Sequence, residues 1–315
     1  MIDVDNHFIK LLADEYYQLY IPITAGISST EVYKDAALKG HIPFNHDLGL
    51  ILDEKDIYEE ISTEYGDVRY IYLYNRLDFE NAVRKLAYKC EPLEIPKTMG
   101  AIIILGVNNW KKIKLHKLQC EANGNFDWKS EFRSFTSIKK NYKDTLIIIS
   151  DGCYSNLSHI HTKFNEEQWK YISMNIRKYH ELTHFICMNK YHELKQPIFD
   201  EILADCIGIT YALGHYDKKL ACMFIGIIDN HYQSGGRLEN YIDKNFITHE
   251  LVIEILNLMD MLEAITKEIM EKEQIEIHRS SINDLECLIS NIYMKENVLS
   301  QIILLNQLTK LCVNK

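Results

Sequence analysis

The sequence lacks a long apolar run, and this absence limits what the protein can be. No segment reaches the roughly 18 uncharged apolar residues that a membrane span needs, and the longest apolar stretches, 101–107 and 145–150, are the length of strands. The N-terminal segment is acidic and has no sustained apolar run, so it does not resemble a signal peptide. We therefore expect no membrane partner.

The sequence also lacks an excess of positive charge. Its formal net charge is −10 over 315 residues, and the basic residues are scattered. A partner with a phosphate backbone requires a basic patch, so we expect no nucleic-acid partner. The apolar content of 47% and the charged content of 25% are typical of a globular chain that can bury a core.

Paired cysteine motifs are missing as well. The eight cysteines are spread singly, with no C-x-x-C. Without a secretion signal, this pattern indicates reduced thiols and a cytoplasmic protein. Internal repeats and low-complexity tracts are also absent from the sequence.

Apolar periodicity divides the chain into three regions. The first is mostly helical in spacing and carries no motif that we can connect to chemistry, although the alternating tyrosines at 70–74 indicate a strand. A small sheet is predicted over 97–150, and helices follow from residue 165. We therefore expect a helix-rich α+β fold with a mainly helical N-terminal region of unknown role (1–96), a core (97–245) and C-terminal helices that pack on the core (246–315).

The first helix after the sheet has strong end signals. Asn165 followed by Gln168 is typical of a helix N-terminus, and an apolar stripe extends the helix to about residue 190. Pro197 and Gly214 are typical of the beginning and the end of the next helix.

The first of these helices carries the motif H-E-x-x-H. His180 and His184 are one turn apart on the same face and can bind one metal ion, while Glu181 can reach a water on that metal. The motif also arises by chance, so a second feature is needed. A catalytic zinc site requires three protein ligands and one open position.

The next helix supplies that second feature. Glu201 and Asp205 share one face, which Gly208 and Ala212 continue, and the flanking residues are apolar. Such a face is typical of a helix that crosses another closely, and buried carboxylates need a partner such as a metal. We expect Glu201 to be the third ligand and Asp205 to accept the other N–H of a liganding histidine.

The motifs HELTH and DEILAD, in this order, resemble those of the gluzincin, or thermolysin-like, branch of the zincin metallopeptidases. The resemblance covers about residues 165–214. It implies that 97–245 is a zincin-like catalytic core in which the small sheet precedes the active-site helix, with Zn²⁺ held by His180, His184 and Glu201. It also implies that Glu181 is the general base, that Asp205 supports a ligand, and that a strand at 145–150 pairs with the substrate.

A third histidine is a candidate for stabilising the oxyanion. His231 lies in the sequence D-N-H-Y-Q-S-G-G, which is similar to an H-x-x-S-G context in the thermolysin-like enzymes. Tyr232, Tyr211 and His215 are rivals for this role, and an ordinary surface histidine in a glycine-rich turn is the alternative.

Two further pairs of residues could in principle bind a metal. His159 and His161 could form a second metal site if extended, but polar residues that lead into the cap at Asn165 are the favoured interpretation. Cys187 and Cys206 lie near the motif, but no ligand pattern includes them.

Together these patterns predict a zinc-dependent metallopeptidase that acts on a peptide or protein. Two alternatives stay open: a zinc-dependent amidohydrolase or biosynthetic enzyme acting on a small molecule or modified peptide, and a non-catalytic, zinc-stabilised binding protein. An open groove would favour peptides, a closed pocket small substrates, and a fourth protein ligand a structural role.

Overall fold

The chain forms two compact units, residues 1–151 and 152–315, in the computed structural model. The first unit combines a mixed sheet with helices, and the second is almost entirely helical. The fold is therefore helix-rich α+β, as predicted. No helix in the described part of the chain is long and apolar enough to cross a membrane. The structure describes residues 7–124, 127–191, 197–272 and 281–313, with side chains up to residue 309.

A four-stranded mixed sheet is the centre of the first unit. Its strands are β1 (Ile57–Thr63), β2 (Gly66–Leu73), β3 (Ala101–Asn108) and β4 (Lys143–Ser150). They are ordered β1-β2-β4-β3. The β1–β2 and β3–β4 pairs are antiparallel, whereas β2 and β4 are parallel. The strands β3 and β4 were predicted from their apolar runs.

The strand β4 occupies the middle of this sheet. Residues 146–149 are fully buried, and a continuous apolar run of this kind is typical of a strand covered on both faces. Both edges of β4 are paired, one with β2 and the other with β3. The strand at 145–150 therefore has no edge to offer a substrate, and this expectation is corrected.

Five helices complete the described part of the first unit. They are α1 (Phe8–Ala13), α2 (Glu31–Lys39), α3 (Arg76–Leu86), α4 (Trp110–Ala122) and α5 (Trp128–Ser137). The prediction of a small sheet over 97–150 holds for β3 and β4, which pair with each other, but the segment between them in sequence forms α4 and α5. Asn109 caps α4 by accepting the N–H of Lys112. Trp110 and Ile113 are the buried residues of α4, while its leucines are exposed, so α4 is a mostly solvated helix.

The compact units do not follow the boundaries expected from the sequence. The strands β1 and β2 come from the region 1–96 and share a sheet with β3 and β4. An isolated hairpin is marginally stable, so these two strands gain their stability from pairing with strands later in the chain. The observed division at 151/152 lies inside the predicted core of 97–245.

The second unit is built from helices and a short hairpin. Its elements are α6 (Glu166–Tyr191), α7 (Pro197–Leu213), α8 (Lys218–Ile225), β5 (Ile227–Ile228), β6 (His231–Tyr232), α9 (His249–Lys272), α10 (Ile282–Tyr293) and α11 (Glu296–Val313). The predicted ends of α6 and α7 are confirmed. The N–H of Gln168 donates to Asn165 Oδ1 over 2.9 Å, and the N–H of Asn165 donates to Gln168 Oε1 over 3.1 Å. The helix α9 packs against α7 and α8, so no structural boundary separates residues 246–272 from the helices before them.

The helices α6 and α7 run antiparallel and cross closely at Gly208. Along the pair, Glu201 faces His184, Asp205 faces His180 and Gly208 faces Ile176. A Cβ added at Gly208 would lie 2.7 Å from the carbonyl oxygen of Ile176, closer than side-chain carbons approach backbone. The predicted close crossing is therefore confirmed.

We expect Gly208→Ala to lower the free energy of unfolding by about 1–3 kcal/mol, because overpacking against backbone outweighs the better helix propensity of alanine. The urea midpoint measures this effect. Gly152→Ala is the matched control, since its Cβ would have only the far end of Arg177 within 4.0 Å. A Gly208→Ala protein as stable as wild type would show that a Cβ at residue 208 fits at the crossing without a steric clash.

Candidate metal centre

Three side chains from α6 and α7 converge at this crossing. The Nε2 atoms of His180 and His184 are 3.1 Å apart. Glu201 Oε2 lies 3.5 Å from His180 Nε2, and Glu201 Oε1 lies 3.4 Å from His184 Nε2. The three side chains are 9%, 14% and 22% exposed, respectively, so the group is largely shielded from solvent and still reachable.

The spacing of these atoms matches a tetrahedral metal site. Zinc binds histidine nitrogen and carboxylate oxygen at about 2.0–2.2 Å, so two ligands of one tetrahedral ion are separated by about 3.3–3.5 Å. The two Nε2 atoms are 3.1 Å apart, and Glu201 approaches His180 with Oε2 (3.5 Å) and His184 with Oε1 (3.4 Å). One potential ligand atom of each residue lies within 4.8 Å of the other two, so a small rotation of the Glu201 carboxylate gives the tetrahedral spacing. The residues present therefore fit a zinc ion in both chemistry and spacing.

Asp205 orients the first of these histidines. Its side chain is fully buried, and its Oδ1 lies 3.0 Å from His180 Nδ1. A proton on Nδ1 satisfies this contact and leaves Nε2 with a lone pair directed at His184 and Glu201. Asp205 thus occupies the position that the sequence predicted.

Tyr154 and Arg237 also bind the Asp205 carboxylate, Tyr154 at the oxygen that faces His180 and Arg237 at the other oxygen. The Tyr154 hydroxyl donates to Asp205 Oδ1 over 2.6 Å. Arg237 Nη2 donates to Asp205 Oδ2, and Arg237 Nη1 donates to the Tyr154 hydroxyl over 3.1 Å. A buried carboxylate needs hydrogen bonds and a counter-charge, and these two residues supply both.

The pKa values of Asp205, His180 and Glu201 are shifted because these charged groups lie close together. Burial raises the pKa of Asp205, but Arg237 and the hydrogen bond from His180 outweigh it and hold that pKa below its usual range. Burial lowers the pKa of His180, but the carboxylates of Asp205 and Glu201 outweigh it and raise that pKa to about 10. The two histidines likewise more than offset burial and lower the pKa of Glu201. The two ionised carboxylates therefore attract positive charge, whether a proton or a metal cation.

Glu181 is placed beside this group without belonging to it. It follows His180 on α6 and is partly exposed. Among the described residues it has no hydrogen-bond or ion-pair partner. Its carboxylate is therefore available to a water molecule at the site.

The structure does not bring His231 to the three donors. His231 is exposed on β6, and its ring stacks on His249 with centroids 5.8 Å apart. No contact joins His231 to the donors within the described residues. Among its rivals, Tyr232 donates to the Gly236 carbonyl, Tyr211 packs on Tyr179, and His215 is exposed beyond α7.

Tyr241 is a second tyrosine at the donor group, besides Tyr154, whose hydroxyl lies 2.9 Å from His180 Nδ1. It is partly buried beside Glu201. Burial and then the Glu201 carboxylate raise the pKa of Tyr241, so its hydroxyl keeps its proton at neutral pH. Sequence reasoning missed Tyr241, as it missed Tyr154 and Arg237, because all three lie outside α6 and α7.

The remaining sequence candidates do not join the site. No group of potential metal ligands among the described residues contains His159 or His161. Cys206 is buried with its Sγ 3.5 Å from Thr266 Oγ1, and Cys187 is also buried. All the cysteines whose side chains the structure describes are free, as expected; Cys312 lies outside them.

We expect Arg237→Met to lower the free energy of unfolding by about 3 kcal/mol, since it leaves the buried Asp205 carboxylate without its arginine. Urea unfolding measures the loss. The exposed Arg133 on α5 gives the control, and Arg133→Met should change stability by no more than about 0.5 kcal/mol. If Arg237→Met lowers the free energy of unfolding no more than Arg133→Met does, His180 alone balances the charge of Asp205.

Comparison with known proteins identifies a family but no activity. No curated protein matches the chain, and no solved structure matches it. Residues 4–301 match a protein family whose description is "Family of unknown function (DUF7005)". Because this match extends over nearly all of its length, the chain belongs to the family DUF7005.

Proposed function

We propose that this protein is a zinc-dependent metallopeptidase with a zincin-like active site. The observation that carries the proposal is the convergence of His180, His184 and Glu201, whose imidazole nitrogens and carboxylate oxygens lie 3.1–3.5 Å apart, close to the spacing of ligands on one tetrahedral ion. The order of the motifs on α6 and α7, and their resemblance to the gluzincins, support the same function.

The donor set is of the catalytic kind. Structural zinc sites are closed by four protein ligands, whereas catalytic sites have three and keep one position open. The only group of potential ligands that contains His180 in the described residues has three members, two imidazoles and one carboxylate. A zinc ion held there would lower the pKa of a water to about 7 and polarise a carbonyl group.

Glu181 would act as the general base and then as the acid. Its unpartnered carboxylate takes a proton from the attacking water and later delivers that proton to the leaving amine. This role requires a carboxylate that no other residue engages, which is how Glu181 is placed among the described residues. A purely structural site has no need of such a group, so Glu181 favours catalysis over zinc-stabilised binding.

Tyr241 is better supported than His231 as the donor to the oxyanion. A useful donor must lie close to the reacting carbonyl and must carry its proton at the working pH. Tyr241 interacts with the ligand Glu201 and has a raised pKa. His231 instead stacks on His249 without a contact to the donors in the described residues.

A cytoplasmic location is part of the proposal. Free thiols persist in reducing compartments, and each cysteine with a described side chain is free. We propose a peptide or protein as the substrate. Hydrolysis of small-molecule amides uses the same residues, and the peptide screen below distinguishes the two.

Loss of any one ligand should remove one metal ion per chain. Relative to wild type, we expect His180→Ala, His184→Ala and Glu201→Ala each to contain about one zinc fewer, because two remaining ligands hold the ion poorly. Elemental analysis of the purified proteins measures this difference. Glu181→Gln and His215→Ala, an exposed histidine beyond α7, should keep the wild-type content. Unchanged zinc in all three ligand variants would overturn the assignment.

Replacing the base should abolish hydrolysis without loss of metal. Against a mixed peptide library read by mass spectrometry, we expect Glu181→Gln to cleave about 10²–10⁴-fold more slowly than wild type. Glu167→Gln, an exposed glutamate in the first turn of α6, is the matched control and should match wild type. Wild-type protein that holds zinc and cleaves no peptide would exclude the peptidase and leave the small-molecule amidohydrolase. Full activity in Glu181→Gln would show that another residue is the base.

A further inference from the structure

A second group of potential metal ligands lies in the first unit. His116 and Cys120 are one turn apart on α4, and Glu131 is in the first turn of α5. His116 Nε2 lies 3.5 Å from Cys120 Sγ and 3.7 Å from Glu131 Oε2. Cys120 Sγ lies 3.9 Å from Glu131 Oε2. One atom of each residue therefore points to a common centre.

These separations are close to those of three ligands on one tetrahedral ion. With zinc bonds of about 2.3 Å to sulfur and about 2.0–2.2 Å to nitrogen and oxygen, the ligand atoms should be about 3.4–3.6 Å apart. The observed values of 3.5, 3.7 and 3.9 Å exceed this spacing by a few tenths of an ångström at most. Small side-chain rotations bring all three atoms to bonding distance.

The surrounding side chains fix the orientation of the histidine and of α5. The His116 ring stacks on Phe135 with centroids 4.1 Å apart and planes inclined by 13°. Asp127 caps α5 by accepting the N–H of Ser130, which sets the start of the helix three residues before Glu131. The donors come from two helices whose contact is already formed.

We propose that His116, Cys120 and Glu131 bind a zinc ion that links α4 to α5. A thiolate, an imidazole and a carboxylate form a donor set for zinc, whereas calcium and magnesium prefer oxygen ligands throughout. All three residues are partly exposed, so an ion can enter, and a water completes the tetrahedron. Binding forms the zinc–sulfur bond and releases the thiol proton to solvent.

This site is independent of the proposed metallopeptidase function. It shares no residue with His180, His184 and Glu201, and it lies in a different compact unit. Of the two groups of potential ligands in the described residues, only this one contains a sulfur atom, that of Cys120. A metal bound here can therefore be distinguished by its absorption spectrum.

Cobalt(II) titration of the metal-free, fully reduced full-length protein tests the site. Cobalt bound to a thiolate gives a sulfur-to-cobalt charge-transfer band in the near ultraviolet, which histidine and carboxylate ligands do not give. We expect this band to reach the same height in wild type, where two cobalt ions fill both sites, and in His180→Ala, where one cobalt ion is enough. Cys120→Ser should lose the band, and Glu131→Gln, which keeps the thiol, should weaken cobalt affinity at least tenfold. The exposed Cys287 supplies the control, and Cys287→Ser should keep the full band.

Absence of the band in wild type would overturn the site, as would a band that survives in Cys120→Ser. Each variant should first show the far-ultraviolet circular dichroism of wild type, and Glu131→Gln covers the case in which Cys120→Ser does not fold. Failure here leaves the ligands on α6 and α7 untouched, because loss of zinc in His180→Ala is measured separately.

Discussion

The close approach of α6 and α7 is the constraint on which the candidate site depends. Because Gly208 has no side chain, the backbone of α7 can lie against the Ile176 carbonyl. The two antiparallel helices then present one residue per turn to each other, so Glu201 reaches His184 and Asp205 reaches His180. A larger residue at the crossing would move the carboxylates away from the histidines.

Charge is arranged in layers around this crossing. Arg237 and Tyr154 stabilise the buried Asp205 carboxylate, and Asp205 in turn binds Nδ1 of His180, which leaves Nε2 as the nitrogen that faces His184 and Glu201. Each buried charge therefore lies next to an opposite charge or a hydrogen-bond partner, which limits the free-energy cost of burying it. His180, His184 and Glu201 converge at the end of these contacts, and the negative charge of Glu201 and Asp205 attracts a proton or a metal cation to them.

The sequence was most informative where function and local structure share one helix. The H-E-x-x-H spacing, the cap at Asn165 and the small residue at Gly208 are local signals, and each depends on helix geometry alone. They predicted that His180, His184, Glu201 and Asp205 meet at the crossing. Tyr154, Arg237 and Tyr241 could not be found in this way, because they reach the site from turns far along the chain. The sequence indicated only that buried carboxylates need a partner such as a metal, and it did not indicate Arg237.

The first unit was harder to predict because its signals were weak or non-local. The hairpin of β1 and β2 pairs with a strand some seventy residues later, which no local pattern shows. The helix α4 buries little apolar surface, so its sequence was interpreted as part of a sheet. That error also hid His116 and Cys120, whose common face with Glu131 depends on two helices packing together.

Anomalous diffraction at the zinc absorption edge, from crystals of the wild-type protein grown with zinc, tests the central claim most directly. We expect a peak at about 2.0–2.2 Å from His180 Nε2, His184 Nε2 and one carboxylate oxygen of Glu201. A crystal with no anomalous peak among these three residues, in which the histidines instead contact Glu201 directly, would contradict the assignment of a metal centre to α6 and α7.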